Sequence, residues 1–332
     1  MNKKWLSLLC GIVLSAVFLA ACNSSESGSS GTAGDSGSSS NDGDKIVIGA
    51  AMPVFDDKFL SYLYEGINQY ADSLGNVSVN MVDAKNDSGK QISQVETFVA
   101  QGVDAIIINP VDTNSIGAMV ASANDANIPV VVVNRMPLEE DMEKIYAYVG
   151  SESLEAGAIQ MEEVAKLIGN KGNVGIINGT LGQEAVIKRT QGNKDVIAKY
   201  PDIKIAREAT ADWQRSQGIT LMENWIQTGE KFDAIVSNND EMAIGAIMAL
   251  EQANMLDQVV VAGIDGTLDA LEYIKDGKLS VSAFQDAYGQ GKGAIEAAIA
   301  AVNGEATTEK FINIPFELVT KDNVDEYIKK WQ

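Results

Sequence analysis

Histidine is absent from all 332 residues, cysteine occurs only twice, and 25 basic residues face 46 acidic ones. Without histidine the chain lacks the side chain that most often serves as a general base or metal ligand near neutral pH. One cysteine, Cys10, lies in a segment expected to be removed, and the other, Cys22, is expected to be modified. No disulfide, thiol nucleophile or cysteine metal site is then available. The shortage of basic residues leaves a net charge of −21. Such a surface repels nucleic acid and anionic ligands, and no basic stripe or arm reverses this locally. Its main expected effect is solubility. Two glycine motifs are also missing, the Gly-x-Ser-x-Gly elbow and the nucleotide-binding fingerprint. Gly289, Gly291 and Gly293 fall inside a predicted helix, with no nucleotide-type strand before them. The expectation is therefore no catalytic residue, no cofactor and no metal.

Long apolar runs are scarce too. The run over residues 5–18 is too short for a comfortable membrane span and follows the basic start Met1-Asn2-Lys3-Lys4. Leu19-Ala20-Ala21-Cys22 resembles the lipobox of bacterial lipoproteins. That resemblance implies a signal peptide over residues 1–21 and a lipid on Cys22. Residues 22–44 are nearly all Ser, Gly, Asn and acids, a composition that cannot bury enough apolar surface to fold. A flexible chain of that length reaches roughly 25 Å. It reads as a tether that holds the folded part off a membrane.

From residue 45 onward, short β-branched runs alternate with amphipathic segments. Strands are predicted at 46–51, 77–82, 105–109, 130–133 and 146–149, then at 174–177, 203–206, 234–237, 259–262 and 279–283. Repeated βα units imply parallel sheets with helices on both faces. The halves also echo each other: Asp104-Ala105-Ile106-Ile107-Ile108-Asn109 recurs as Asp233-Ala234-Ile235-Val236-Ser237-Asn238. The fold class expected is α/β, with two doubly wound parallel-sheet lobes and a ligand cleft between their strand ends.

In such sheets ligands bind beyond the carboxyl ends of the strands, so those residues carry the functional signal. The first strand leads to Asp57 and Phe59, the third to Asn109-Pro110, and the fourth to Asn134-Arg135. In the second half come Gly179-Thr180-Leu181-Gly182-Gln183, with Arg189 in the next helix, then Trp213 at a predicted helix start. Asn238-Asn239-Asp240, Asp265 and Gln285 follow. Asn and Asp are ordinary turn and cap residues, and Asp240 and Thr267 read most simply as caps. Their recurrence at strand after strand, with two guanidinium groups and two aromatic plates, suits a neutral polyhydroxylated ring.

These residues resemble the type I periplasmic sugar-binding proteins of ABC importers, in the galactose/glucose- and ribose-binding branch. The resemblance covers essentially residues 45–332. Phe55-Asp56-Asp57-Lys58-Phe59 is similar to the galactose/glucose motif, which implies that Asp57 takes sugar hydroxyls and Phe59 stacks. Asn109 before Pro-Val-Asp resembles that group's cleft asparagine, and Asn134-Arg135 the ribose-type Asp-Arg pair. Arg189, Trp213, Asn239, Asp265 and Gln285 match sugar-contacting positions, and the internal repeat alone would have selected Asn238 over Asn239. Where the galactose/glucose binders carry a His and, two residues on, an Asp, this chain has Gln183 and Ala185, and it lacks their calcium loop. A hexose held through its anomeric hydroxyl fits less well for that reason, and an inositol or a pentose becomes a candidate.

The resemblance further implies a three-crossing hinge, with lobes formed by residues 45–150 plus 286–316 and 151–285 plus 317–332. It implies a monomer facing outward on a cell membrane or in the periplasm, delivering its ligand to ABC permease subunits. The rival readings are a sugar sensor that reports to a chemoreceptor or sensor kinase, and a glycosidase built on Asp57 and Asp265.

Overall fold

The computed structural model describes residues 45–331. The expected signal peptide, the expected lipidation site at Cys22 and the expected tether lie outside them. Among the described residues no helix is long and apolar enough to cross a membrane.

The first lobe begins β1 (Ile46–Met52), α1 (Lys58–Leu74), β2 (Val77–Asp83), α2 (Ser88–Gln101) and β3 (Ala105–Ile108). It continues through α3 (Ile116–Asp125), β4 (Val130–Val133), the short α4 (Glu139–Met142) and β5 (Ala147–Gly150). The second lobe runs α5 (Ser153–Leu167), β6 (Gly172–Asn178), α6 (Glu184–Ile197), β7 (Ile203–Thr210), α7 (Arg215–Gln227) and β8 (Ala234–Ser237). Then come α8 (Asp240–Gln252), β9 (Val260–Asp265), α9 (Leu268–Lys275) and β10 (Val281–Phe284). The chain ends with α10 (Ala287–Val302), β11 (Phe311–Asn313), β12 (Glu317–Val319) and α11 (Val324–Lys330).

The two sheets share one design, ordered β2-β1-β3-β4-β5-β11 and β7-β6-β8-β9-β10-β12. All pairs are parallel except β12, which runs antiparallel to β10. The repeated sequence lands on β3 and β8, the third strand of each sheet. Even the flanking acids match: Asp104 accepts from Val47 N, and Asp233 from Asn173 N, each at 2.7 Å.

The strands read as unbroken apolar runs because both faces are covered. In the first sheet Ile48, Ile107 and Val131 pack under Leu63 of α1 and Ile295 of α10. The alternate residues Ile106, Ile108 and Val132 pack against Phe98 of α2 and Met119 of α3. The second sheet divides in the same way, Ile235 and Val261 toward α7 and α8, Ile176 and Val236 toward α5 and α6.

The chain passes between the sheets three times: from β5 to the α5–β6 unit, from β10 to α10, and from β11 to β12. Helix α10 follows a strand of the second sheet yet packs on the first, tight against α1. A β-carbon on Gly291 would come within 2.7 Å of the Ile67 backbone. Trp331 touches both cores, its ring packing at a tilt on Tyr62 with centroids 4.4 Å apart and its indole N–H donating to Gly266 O at 2.9 Å.

Strand bounds differ from expectation chiefly in length. β7 runs on to Thr210 and β9 to Asp265, while β11 and β12 had no sequence signal at three residues each. Trp213 stands two residues before α7 and not at its start.

Candidate functional site

The loops after β1, β3, β4 and β5 of the first sheet and after β6, β7, β8, β9 and β10 of the second deliver side chains to the same gap. After β1, Asp57 caps α1 by accepting from Leu60 N at 2.9 Å, and Phe59 follows in the first helical turn. Burial pushes the Asp57 carboxyl up, while the Leu60 amide and the Arg135 guanidinium pull it back. Arg135 follows β4, and its Nη1 donates to the carbonyls of Pro110 (2.9 Å) and Val111 (3.3 Å) beyond β3. Its neighbour Asn134 turns the chain at φ 66°, a left-handed conformation that asparagine tolerates. The Asn134 amide donates to Gln290 Oε1 at 3.2 Å, and Gln290 donates to Ser151 at the first crossing.

In the second lobe Arg189 is the organising cation. It is 6% exposed and donates to Asn238 O at 2.7 Å, Gln285 Oε1 at 3.0 Å and Asp265 Oδ1 at 3.5 Å. One side chain thus ties α6 to the ends of β8, β9 and β10. Asp265 is raised well above the usual carboxylate range by burial, with Arg189 opposing the shift. A buried carboxylate and guanidinium with unfilled hydrogen-bonding capacity make a strong polar anchor for a ligand.

Trp213 lines the same cavity from the second lobe, as Phe59 does from the first. Its φ of 67° is unusual for a bulky residue. Several neighbours hold it there: its carbonyl accepts from Asn239 Nδ2 at 3.3 Å and its indole N–H donates to Gln183 Oε1 at 2.9 Å. The Arg189 guanidinium lies 5.8 Å from the ring.

These groups surround a cavity of about 390 Å³, within the range typical of small-ligand sites. Asp57, Phe59, Asn134 and Arg135 line it from the first lobe. From the second lobe come Gln183, Arg189, Trp213, Asn239, Asp265 and Gln285. Asn109 does not reach the wall; it is fully buried behind it, its side-chain N and O both without partners. At the other end of the repeat, the Asn238 side chain is spent on Gly179 N and Thr190, and Asn239 lines the cavity instead. Asp240 and Thr267 are structural: Asp240 accepts from Thr267 N and from Ser282 Oγ, and Thr267 caps α9.

Sequence reasoning passed over Ser151, Ser153 and Glu184, which also line the cavity. Ser153 donates to Glu184 Oε2 at 3.1 Å, and burial raises the Glu184 carboxyl. The serines follow β5 at the first crossing and could have been found by reading that strand end like the others. Among the described residues no group of three or more acids, cysteines or histidines is placed to hold a metal.

A family model described as a periplasmic binding protein domain matches residues 48–306. A candidate rhizopine-binding protein of Rhizobium meliloti is 49% identical over 84% of this chain and 92% of its own length. The xylitol-binding protein of Mycolicibacterium smegmatis is 37% identical over 83% of this chain and 78% of its own length. Among solved structures, an ABC transporter solute-binding protein from Bacillus halodurans with bound myo-inositol superposes with a TM-score of 0.82. It is 47% identical and covers 86% of this chain and 98% of its own.

Proposed function

The chain belongs to the periplasmic binding protein family, and on that premise we propose that it captures a neutral cyclic polyol and delivers it to an ABC importer. The single observation that carries this reading is the convergence of strand-end side chains from both sheets on one cavity. Phe59 and Trp213 offer flat apolar faces to the C–H sides of a ring. Asp57, Arg135, Arg189, Asn239, Asp265 and Gln285 offer acceptors and donors to its hydroxyls. Hydrogen bonds to charged groups are worth roughly 1.5–3 kcal/mol each, and a ligand lacking a hydroxyl leaves its partner buried and unpaired. Because the groups come from both lobes, they are all satisfied only with the cleft shut, so ligand favours closure.

An inositol is the favoured ligand. The myo-inositol-bound relative supports it, and so does the Gln183 and Ala185 pair, which suits a ring without an anomeric centre. The lobes are taken as residues 45–150 plus 286–316 and 151–285 plus 317–332, and the protein as a monomer anchored through a lipid on Cys22. The family is one of solute binders, which supports a binding and not a catalytic role.

Calorimetry against galactose, glucose, ribose, xylose and myo-inositol tests the binding. A dissociation constant below millimolar for at least one of them is expected. Failure of all five would end this reading. Loss of uptake of the bound ligand on deleting the gene tests delivery.

A further inference from the structure

Gln183 is the N-cap of α6, a position where Ser, Asp or Asn normally turns its side chain back onto the helix. Gln183 makes no such bond. Its backbone is fixed all the same, the N–H donating to Thr180 O at 3.4 Å and the carbonyl accepting from Ile187 N at 3.1 Å. The side chain is released for another task, and its Oε1 accepts from Trp213 Nε1 at 2.9 Å.

An indole N–H can only donate, so the amide facing it must present oxygen. The Gln183 NH₂ is thereby turned the other way, and it carries no hydrogen bond to the protein among the described residues. Gln183 lines the cavity. Resting on the polyol reading of this cavity, we infer that Trp213 locks the polarity of Gln183 so that this stretch of wall presents a donor. The same bond holds the indole plate against the ring. The ligand oxygen facing Gln183 must then accept, as a hydroxyl or ether oxygen can and an ammonium cannot. One residue thus positions the stacking surface and sets a specificity requirement beside it.

Two substitutions separate the roles. Gln183→Glu keeps an oxygen for the indole N–H and removes the donor. Gln183→Leu removes both. The readouts are calorimetry with the tightest-binding polyol and the Trp213 indole N–H resonance of the unliganded protein, identified by its loss in Trp213→Phe. In Gln183→Glu the resonance should stay in its hydrogen-bonded position while affinity falls about tenfold. In Gln183→Leu the resonance should move to the position of a free indole, and affinity should fall further. Parent-like affinity in Gln183→Glu would overturn the donor role, and an unmoved resonance in Gln183→Leu would overturn the lock. If no sugar or polyol binds the parent, the reading of the cleft fails and takes this inference with it. If the parent binds and the two variants bind equally well, only the inference fails.

Discussion

Gly179 lies so close beneath Trp213 that a β-carbon on it would overlap the indole ring. The loop after β6 and the loop after β7 therefore form one unit, in which a residue with no side chain makes room for the largest one. Thr210 adds to it by donating to Gly179 O at 2.6 Å.

Gly179→Ala should push the indole out of place and weaken polyol binding at least tenfold, about 1.4 kcal/mol. The fold should survive, since the indole that would be displaced is only partly buried, at the margin of the second core. Calorimetry beside circular dichroism checks both parts. An alanine variant that binds like the parent would show that the indole needs no such support.

Asp265→Ala should also cost at least tenfold in affinity, because it removes an acceptor at the centre of the Arg189 network. Trp213→Ala should match that loss and remove most of the ligand-induced change in tryptophan fluorescence. Trp225 and Trp331 pack in the second core and between the lobes, away from the cavity. Unchanged affinity in both variants would move the site elsewhere.

Asp240 gives a pH prediction. Burial pushes its carboxyl up to about 7, against the pull of the hydrogen bonds from Ser282, Thr267 and Gly266. Between the ordinary carboxylate range and that value the folded protein holds a proton that the unfolded chain has lost. This group's contribution is thus present at low pH and falls as pH rises toward 7, by roughly 1.4 kcal/mol per pH unit. Relative to Asp240→Asn, the parent should lose melting temperature between pH 5 and pH 8. A difference between the two that does not vary with pH would contradict this.

On the proposal that acyl chains on Cys22 anchor the protein, Cys22→Ser should release it from the membrane fraction into the periplasm or medium. Retention of the variant in washed membranes would refute the anchor.

The fold was legible in the sequence because a strand buried on both faces needs a continuous β-branched run. Ile106-Ile107-Ile108 and the valines of β4 announce themselves in that way. Edge strands have no such requirement. β11 and β12 are held at one side only, with several residues partly exposed, and three residues carry no period. The strand-end residues were legible for a topological reason: in a parallel sheet every strand points its carboxyl end to the same edge, so position in sequence translates into position at the cleft.

Sequence alone determined the alternation of strand and helix, the two-fold repeat and the list of polar groups at the strand ends. The internal repeat could not decide between the neighbours Asn238 and Asn239, because one residue of backbone rotation turns a side chain from cavity to core, and only the family resemblance selected Asn239. Tertiary structure placed Asn239 at the wall and spent Asn238 on Gly179 and Thr190. It set Asn109 behind the wall and gave Gln183 a partner 30 residues away in Trp213. Those outcomes depend on which groups a closed hydrogen-bond network consumes and which it leaves over, and only the packed molecule fixes that.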